Sequence, residues 1–129
     1  MIAVDTSVWI AFFRGRDKRT AERHRDLLDA DAVGLPAPVR VEILSGASRA
    51  DFPRLRRLLG ALPIAVPTAA TWSRIDGWLE IAAGRGERFG FADLLIASLS
   101  AERGWPLWSL DDDFVRMAGL GWVELHAPS

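Results

Sequence analysis

The chain has 129 residues, and we expect a single domain over residues 1–129 with a substantial buried core. Half of the residues are hydrophobic, 26% are charged and the net charge is −1, so no overall basic field indicates nucleic-acid binding. Cysteine is absent, which excludes disulfides, thiolate metal sites and a cysteine nucleophile. The N-terminal residues lack the basic segment of a signal peptide. No apolar run approaches the roughly 20 residues that span a bilayer. We therefore expect a cytoplasmic protein that does not enter a membrane.

Short apolar runs alternate along the chain with amphipathic segments, which predicts strands separated by helices. In chain order the predicted elements are a strand at 2–4, helices at 8–13 and 17–31, a strand at 33–35, helices at 39–47 and 52–62, a strand at 64–66, helices at 68–83 and 92–102, a strand at 106–109, a helix at 112–118 and a strand at 122–125. Proline and glycine residues lie at many of the boundaries between these elements.

Within the predicted helices, the spacing of apolar residues indicates which faces are buried. The sparse apolar side of the charged helix at 17–31 consists of His24, Leu27 and Leu28. The predicted face of the long helix at 68–83 consists of Trp72, Ile75, Leu79, Ala82 and Ala83. The predicted core face of the helix at 92–102 consists of Leu95, Ile96 and Leu99.

Strands that alternate with helices favour an α/β fold, in which a twisted parallel sheet of about four to five strands is covered by helices on both faces. The connections between such strands are right-handed because the strands are twisted. In open sheets of this kind the functional crevice lies at the carboxyl ends of the strands. Residues that follow the predicted strands are therefore the first candidates for a functional site.

Four acidic residues occur where the topology would bring them to that edge. Asp5 follows the first strand, and Asp111 follows the strand at 106–109. Asp93 lies in the first turn of its predicted helix, and Glu42 lies early in the helix after the second strand. An isolated carboxylate among apolar residues is costly because it loses hydration. Four of them in a short chain suggest one site at which they converge and share a cation.

A site built from carboxylates, without histidine or cysteine, favours the hard cations Mg²⁺ and Mn²⁺. Such a cation stabilises charge on a phosphoryl oxygen and lowers the pKa of a water molecule that can then act as a nucleophile. Four acids could hold one ion or two. Without a metal the carboxylates would repel one another, so at least one of their pKa values should rise.

Structural interpretations of the same residues remain open at this point. Asp5 is a suitable helix N-cap, and Asp93 is favourably placed for the helix dipole. Glu42, which lies between valine and isoleucine, is not explained as a cap. Residues 111–113 could form an ordinary turn between a strand and a helix.

The histidines and the basic segments have simple interpretations. His24 and His126 lack the spacing of metal ligands, so surface or packing roles are favoured over metal binding. The basic runs at 14–25 and 49–57 are typical of solvated faces. They could also attract RNA phosphates without regard to sequence.

Four short motifs occur in order along nearly the whole chain. They are Val-Asp-Thr-Ser at 4–7, Val-Glu-Ile-Leu at 41–44 followed by Gly46 and Ala47, Asp-Leu-Leu-Ile-Ala at 93–97, and Ser-Leu-Asp-Asp-Asp-Phe at 109–114. By these motifs the chain resembles PIN-domain proteins, specifically the VapC-type toxins of bacterial and archaeal toxin–antitoxin pairs. Each motif alone is weak, but the ordered set is specific.

The resemblance implies a flavodoxin-like parallel sheet and a metal-dependent endoribonuclease. Carried over by matching motif, the expected catalytic quartet is Asp5, Glu42, Asp93 and Asp111. The expected metal ligands are Asp5, Asp93 and Asp111, and the expected auxiliary residues are Asp113, Ser109 and Ser7. Ser109 stands where the family usually has threonine, and Asp112 is expected to be an exposed bystander.

The resulting expectation is a Mg²⁺- or Mn²⁺-dependent ribonuclease that cleaves single-stranded or loop RNA. The alternatives are a nuclease or phosphodiesterase with another substrate, and a catalytically silent binding module that has kept the fold.

The resemblance also implies two protein partners, a second copy of the chain in a homodimer and a VapB-like antitoxin. An antitoxin arginine would bind among the acids, and a wall formed by Trp9, Phe12 and Phe13 would receive its apolar residues.

Overall fold

The computed structural model describes residues 1–127 as a parallel sheet with helices packed against it, and Pro128 and Ser129 of the predicted domain lie outside this range. The strands are β1 (Ile2–Val4), β2 (Val33–Pro36), β3 (Ile64–Ala65) and β4 (Leu107–Trp108). The helices are α1 (Thr6–Arg14), α2 (Lys18–Asp29), α3 (Ala37–Ser45), α4 (Phe52–Gly60), α5 (Ala69–Gly84), α6 (Phe91–Arg103) and α7 (Asp113–Gly119). The predicted α/β fold with a parallel sheet is confirmed, with four strands among the described residues.

The order of the strands in the sheet is β3-β2-β1-β4, and all neighbours run parallel. The chain moves outward from β1 through β2 to β3 and then returns to place β4 on the other side of β1. The order therefore reverses between β1 and β4. In open parallel sheets, ligands bind outside the carboxyl ends of the strands at such a reversal. The edge formed by the ends of β1 and β4 is thus where a functional site is expected.

The strand predicted at residues 122–125 is wrong as a full strand. Only one isolated parallel bridge forms there, between Leu107 and Leu125. Its two hydrogen bonds run from the Leu107 amide to the Glu124 carbonyl and from the His126 amide to the Leu107 carbonyl, each at 2.8 Å. Because β4 has only two residues, it offers little length for a longer pairing on its outer side.

The long helix α5 buries only part of the predicted face, namely Ile75 and Ala82, while the predicted Ala83 is exposed. Its buried residues are Thr71, Ile75, Trp78 and Ala82, whereas the predicted Trp72 and Leu79 are each 45% exposed. Thr71 is fully buried, and its hydroxyl donates to the Glu102 carboxylate at 2.9 Å. This hydrogen bond offsets the lost hydration of the hydroxyl, so a polar residue is tolerated on the buried face. Trp78 instead stacks on Trp122, with 4.7 Å between ring centroids.

Helix α6 is buried on all sides rather than on one face. Every residue from 94 to 100 is buried, including the predicted Leu95, Ile96 and Leu99. The helix contacts α3, α5 and α7 as well as β2 and β3, which explains why its apolar residues surround the helix.

No helix within the described residues is long and apolar enough to cross a membrane.

His24 has the packing role that was one of its two interpretations. It is fully buried, and its ring lies edge-on to Trp9 and Phe12 with centroid distances of 4.2 and 4.8 Å. Neither ring nitrogen has a hydrogen-bond partner among the described residues. Burial lowers the pKa of His24 to about 4.

Trp9 is also fully buried, so it belongs to the core and cannot form part of the wall that was predicted to receive an antitoxin.

We expect His24 to make the protein sensitive to acid. Its pKa is lowered from 6.5 in the unfolded chain to about 4 in the native state, so its contribution to stability is complete above pH 6.5 and is lost as the pH falls towards 4. His24→Phe, which keeps a ring in this site, should remove up to about 3 kcal/mol of this loss at pH 4. Urea unfolding of both proteins between pH 7 and pH 4 measures the difference. Parallel pH profiles would contradict the prediction.

Candidate functional site

The four predicted acids approach one edge of the sheet from four different elements. Asp5 directly follows β1, Asp111 follows β4, Asp93 lies in the first turn of α6, and Glu42 lies on α3. Burial, and after it the charges of Asp111, Asp5, Asp113 and Glu42, together raise the pKa of Asp93 to about 6. The expectation that clustering would raise at least one carboxylate pKa is therefore confirmed.

Asp5 is the most buried of these acids, with 5% of its surface exposed. Its Oδ2 atom accepts hydrogen bonds from the hydroxyls of Ser7 and Ser109, both at 2.7 Å. The same oxygen accepts from the Ser7 amide at 3.4 Å, so Asp5 also caps α1. Asp5 is thus a helix cap that also lies among the other acids.

The segment after β4 is held to the start of α1 by the two serine hydroxyls. The Leu110 amide donates to Ser7 Oγ, and the Asp111 amide donates to Ser109 Oγ, each at 3.0 Å. The Asp113 amide then donates to Asp111 Oδ1 at 2.9 Å, which makes residues 111–113 a hydrogen-bonded turn into α7. Both interpretations of this segment hold, because the turn also brings its carboxylates to the cluster.

Three carboxylates form a group of the size that a cation requires. Asp93, Asp111 and Asp113 each offer an oxygen, and these oxygens all lie within 4.8 Å of one another. Ligands on opposite sides of Mg²⁺ are about 4.2 Å apart, so small side-chain rotations would suffice to bind it. The sequence predicted Asp5 in this group and treated Asp113 as auxiliary, whereas the compact group contains Asp113. Asp112 is exposed and lies outside the group.

Glu42 lies in a different environment from the one that drew attention to it in the sequence. It is exposed, as is its neighbour Val41, because α3 turns this part of its surface outward. The cost of burying a charge therefore does not apply to Glu42, nor to the exposed Asp111. The Thr6 hydroxyl donates to Glu42 Oε1 at 2.8 Å, a contact that links α1 to α3. Thr6 belongs to the motif at residues 4–7 but was not among the predicted site residues.

Arg116 was not among the predicted site residues, yet it contacts the cluster directly. Its Nη2 atom donates to Asp113 Oδ1 at 2.8 Å, and its guanidinium lies 4.4 Å from the ring centroid of Phe89. The signal in the sequence is the three-residue spacing from Asp113, which places both side chains on one side of α7. The positively charged guanidinium of Arg116 therefore lies beside the carboxylates of the candidate site.

We expect Asp93 to destabilise the metal-free protein at neutral pH. Its native pKa of about 6 exceeds the unfolded value of 3.8, so its ionised form opposes folding above pH 6, and this penalty disappears as the pH falls towards 4. Asp93→Asn should therefore be more stable than the parent at pH 7, by about 1–2 kcal/mol after allowance for solvent screening. Denaturant unfolding in EDTA measures this difference. The exposed Asp76→Asn on α5 is the control, and an equal gain in both variants would contradict the prediction.

Comparison with known proteins finds relatives both in sequence and in fold. A sequence model of the PIN domain matches residues 2–120. Ribonuclease VapC11 of Mycobacterium tuberculosis is 34% identical in an alignment of 119 positions that covers 88% of this chain and 89% of that protein. Ribonuclease VapC5 of the same organism is 35% identical in an alignment of 130 positions that covers 95% of this chain and 91% of that protein.

Solved structures share the fold over almost the whole chain. VapBC-1 from nontypeable Haemophilus influenzae matches with a TM-score of 0.76 and 19% identity, covering 98% of this chain and 97% of that one. VapBC2 from Rickettsia felis, bound to a DNA fragment from its promoter, matches with a TM-score of 0.75 and 15% identity over the whole of both chains. The chain belongs to the PIN domain family, and the curated relatives that it matches are VapC ribonucleases.

Proposed function

We propose that this chain is a Mg²⁺- or Mn²⁺-dependent endoribonuclease that acts in the cytoplasm as the toxin of a toxin–antitoxin pair, and that residues 1–129 form a single PIN domain. The observation that carries the proposal is the group of three carboxylates at the strand-order reversal, in a chain whose relatives are ribonucleases. A divalent cation fits this group because its donors are all carboxylate oxygens within 4.8 Å of one another.

Asp93, Asp111 and Asp113 would hold the cation, with Asp5 as a further ligand. When bound, Mg²⁺ or Mn²⁺ supplies charge stabilisation on a phosphoryl oxygen and lowers the pKa of a water molecule. The serine hydroxyls on Asp5 Oδ2 fix the orientation of that carboxylate, which leaves Oδ1 as its oxygen for a cation. Glu42, oriented by Thr6, would accept a hydrogen bond from the attacking water and direct it at the phosphate.

Single-stranded or loop RNA is the proposed substrate. The exposed Glu42 and Asp111 leave the rim of the cluster open to a flexible chain, and unpaired RNA can bend into such a site. Arg14 and Arg54 line the groove that begins at Thr6 and Glu42, where they could attract RNA phosphates. A nuclease or phosphodiesterase that acts on another substrate would use the same carboxylates, whereas a silent binding module would bind RNA without cleaving it.

The groove beside the cluster is the proposed antitoxin site. It has a volume of about 400 Å³ and lies between α1, α3 and α4. Its apolar wall consists of Ile10, Phe13, Ile43 and Leu55, which replaces the wall of Trp9, Phe12 and Phe13 expected from the sequence. Glu42 lies at the edge of this groove, so an antitoxin arginine could reach the acids while neighbouring apolar residues occupy the groove. The toxin–antitoxin complexes among the matched solved structures support such a partner.

A homodimer is the second proposed assembly. Trp72 on α5 is 45% exposed and stacks against Phe91, which is 71% exposed, with 6.2 Å between ring centroids. Leu79 on the same helix is also 45% exposed. Apolar residues that remain exposed together mark surfaces that bind another protein. We propose that a second copy of the chain covers this face.

RNA cleavage should require Mg²⁺ or Mn²⁺, stop in EDTA and resume when metal is restored. Asp111→Asn should lower the cleavage rate by at least about 100-fold, because it neutralises a ligand of the cation. Asp112→Asn is the matched control, because the neighbouring carboxylate is exposed and lies outside the group. It should keep activity within about twofold of the parent, as expected for a surface substitution. Cleavage is measured on a labelled single-stranded RNA.

Three results would count against this mechanism. Cleavage that persists undiminished in EDTA would exclude the metal, and equal losses in the two variants would exclude a specific role of Asp111. Faster cleavage of a DNA strand of the same sequence would favour the alternative substrate. Binding of RNA without cleavage at any metal concentration would favour the silent module.

The antitoxin groove should be sensitive to a buried charge. Ile10→Glu places a carboxylate in the apolar wall and should weaken binding of the cognate antitoxin by at least about 10-fold, because the charge loses its hydration in the complex. Val66→Glu, at a residue that is 50% exposed and does not line the groove, is the control. Titration calorimetry with the purified antitoxin measures both affinities. Equal affinities would place the antitoxin elsewhere.

A further inference from the structure

Arg116 joins a site carboxylate on α7 to the connection that precedes α6, the helix that carries Asp93. Its Nη2 atom donates to Asp113 Oδ1 at 2.8 Å and to the carbonyl of Arg88 at 3.2 Å. Its Nη1 atom lies 3.6 Å from the Glu87 carboxylate, and its guanidinium lies over the ring of Phe89. One planar cation on α7 therefore holds Asp113 and also the connection of residues 85–90 between α5 and α6.

The position of this connection determines where α6 begins. The connection ends at Gly90, the N-cap of α6, and Asp93 is three residues further on. The Gly90 carbonyl accepts from the Leu94 amide at 3.0 Å, so a displacement of Gly90 would be transmitted to the first turn of α6. Phe89 also makes an edge-on contact with Trp122, with 5.4 Å between their ring centroids. Arg116 thus contributes to the placement of Asp93 as well as Asp113.

The bond to Arg116 is compatible with metal binding by Asp113. A carboxylate has two oxygens with about four acceptor directions, so Asp113 can accept from Arg116 and still bind a cation. Carboxylates that ligate metals are commonly oriented by such hydrogen bonds. The guanidinium of Arg116 is also held by contacts with Arg88, Glu87 and Phe89. We therefore expect Arg116 to stay in place when a metal ion binds.

Stability alone does not account for this arrangement. The side chain of Arg116 is 43% exposed and that of Asp113 is 42% exposed. Ion pairs at such exposure contribute about 0–1 kcal/mol to folding. We therefore expect these contacts to affect the positions of the site residues more than the free energy of unfolding.

We propose that Arg116 is a positioning residue, which holds Asp113 and the start of α6 in the arrangement that binds a divalent cation. This inference rests on the proposed metal-dependent function. It predicts an effect opposite in sign to simple electrostatics. Removing a positive charge beside a cation site should tighten cation binding by Coulomb's law, whereas loss of a positioning residue should weaken it.

The test compares Mn²⁺ affinity among variants, measured by electron paramagnetic resonance of the free ion. Arg116→Ala should bind Mn²⁺ about 10-fold more weakly than the parent, and Arg116→Lys should recover part of the loss because it keeps the charge but not the planar fork. Arg85→Ala is the matched control, because Arg85 binds Glu87 on the same connection but, among the described residues, makes no ion pair with Asp113. Its Mn²⁺ affinity should stay equal to or slightly above that of the parent.

The outcomes separate the two levels of the proposal. A parent protein that does not bind Mn²⁺ would overturn the proposed function itself. A parent that binds Mn²⁺ and cleaves RNA, while Arg116→Ala binds Mn²⁺ equally or more tightly, would overturn only the role of Arg116. An equal loss in Arg85→Ala would also overturn it. If thermal unfolding shows that Arg116→Ala does not fold, Arg116→Gln provides the same comparison, because it keeps an amide donor and removes the charge.

Discussion

The buried carboxylate of Asp5 joins the two strands between which the strand order reverses. A carboxylate that is 5% exposed is tolerated only if hydrogen bonds replace its lost hydration, and the hydroxyls of Ser7 and Ser109 supply two of them. These bonds connect the end of β1, the start of α1 and the segment after β4. The positions of Asp111 and Asp113 depend on that connection, because the same hydroxyls also bind the backbone of this segment.

A cluster of like charges opposes folding, so the rest of the structure must hold it together. Helix α6 does this for Asp93, because the seven buried residues from 94 to 100 fix the helix against the sheet and three other helices. The elevated pKa of Asp93 reflects first the burial of its carboxylate and then its repulsion by the other acids. A cation would relieve this cost on binding, and the free energy lost to repulsion in the metal-free protein would then contribute to metal affinity. On the proposed function, the site would thus exchange stability for metal binding.

Much of the fold and part of the site could be predicted, because the relevant signals are local. The apolar run before Asp5 and the first-turn position of Asp93 are visible in a few residues, and parallel topology brings such positions to one edge. Features that depend on side-chain partners far apart in sequence were not predictable. The burial of Thr71 depends on Glu102, and the membership of Asp113 in the compact group depends on Asp93 across 20 residues. Exposure of Glu42 depends on how α3 packs.

The position of the site carboxylates after the short strand β4 determines which part of the molecule should unfold first. This strand has two residues, yet it leads into the segment that carries Asp111 and Asp113. Segments with few backbone hydrogen bonds open with less free energy than the core, as hydrogen exchange shows in many proteins. Opening of the segment after β4, which is exposed at residues 110–112, would disperse the carboxylates while the buried β4 and the core around α6 stayed folded. Inactivation by heat would then precede global unfolding, and a bound cation would raise the temperature of the first event more than that of the second.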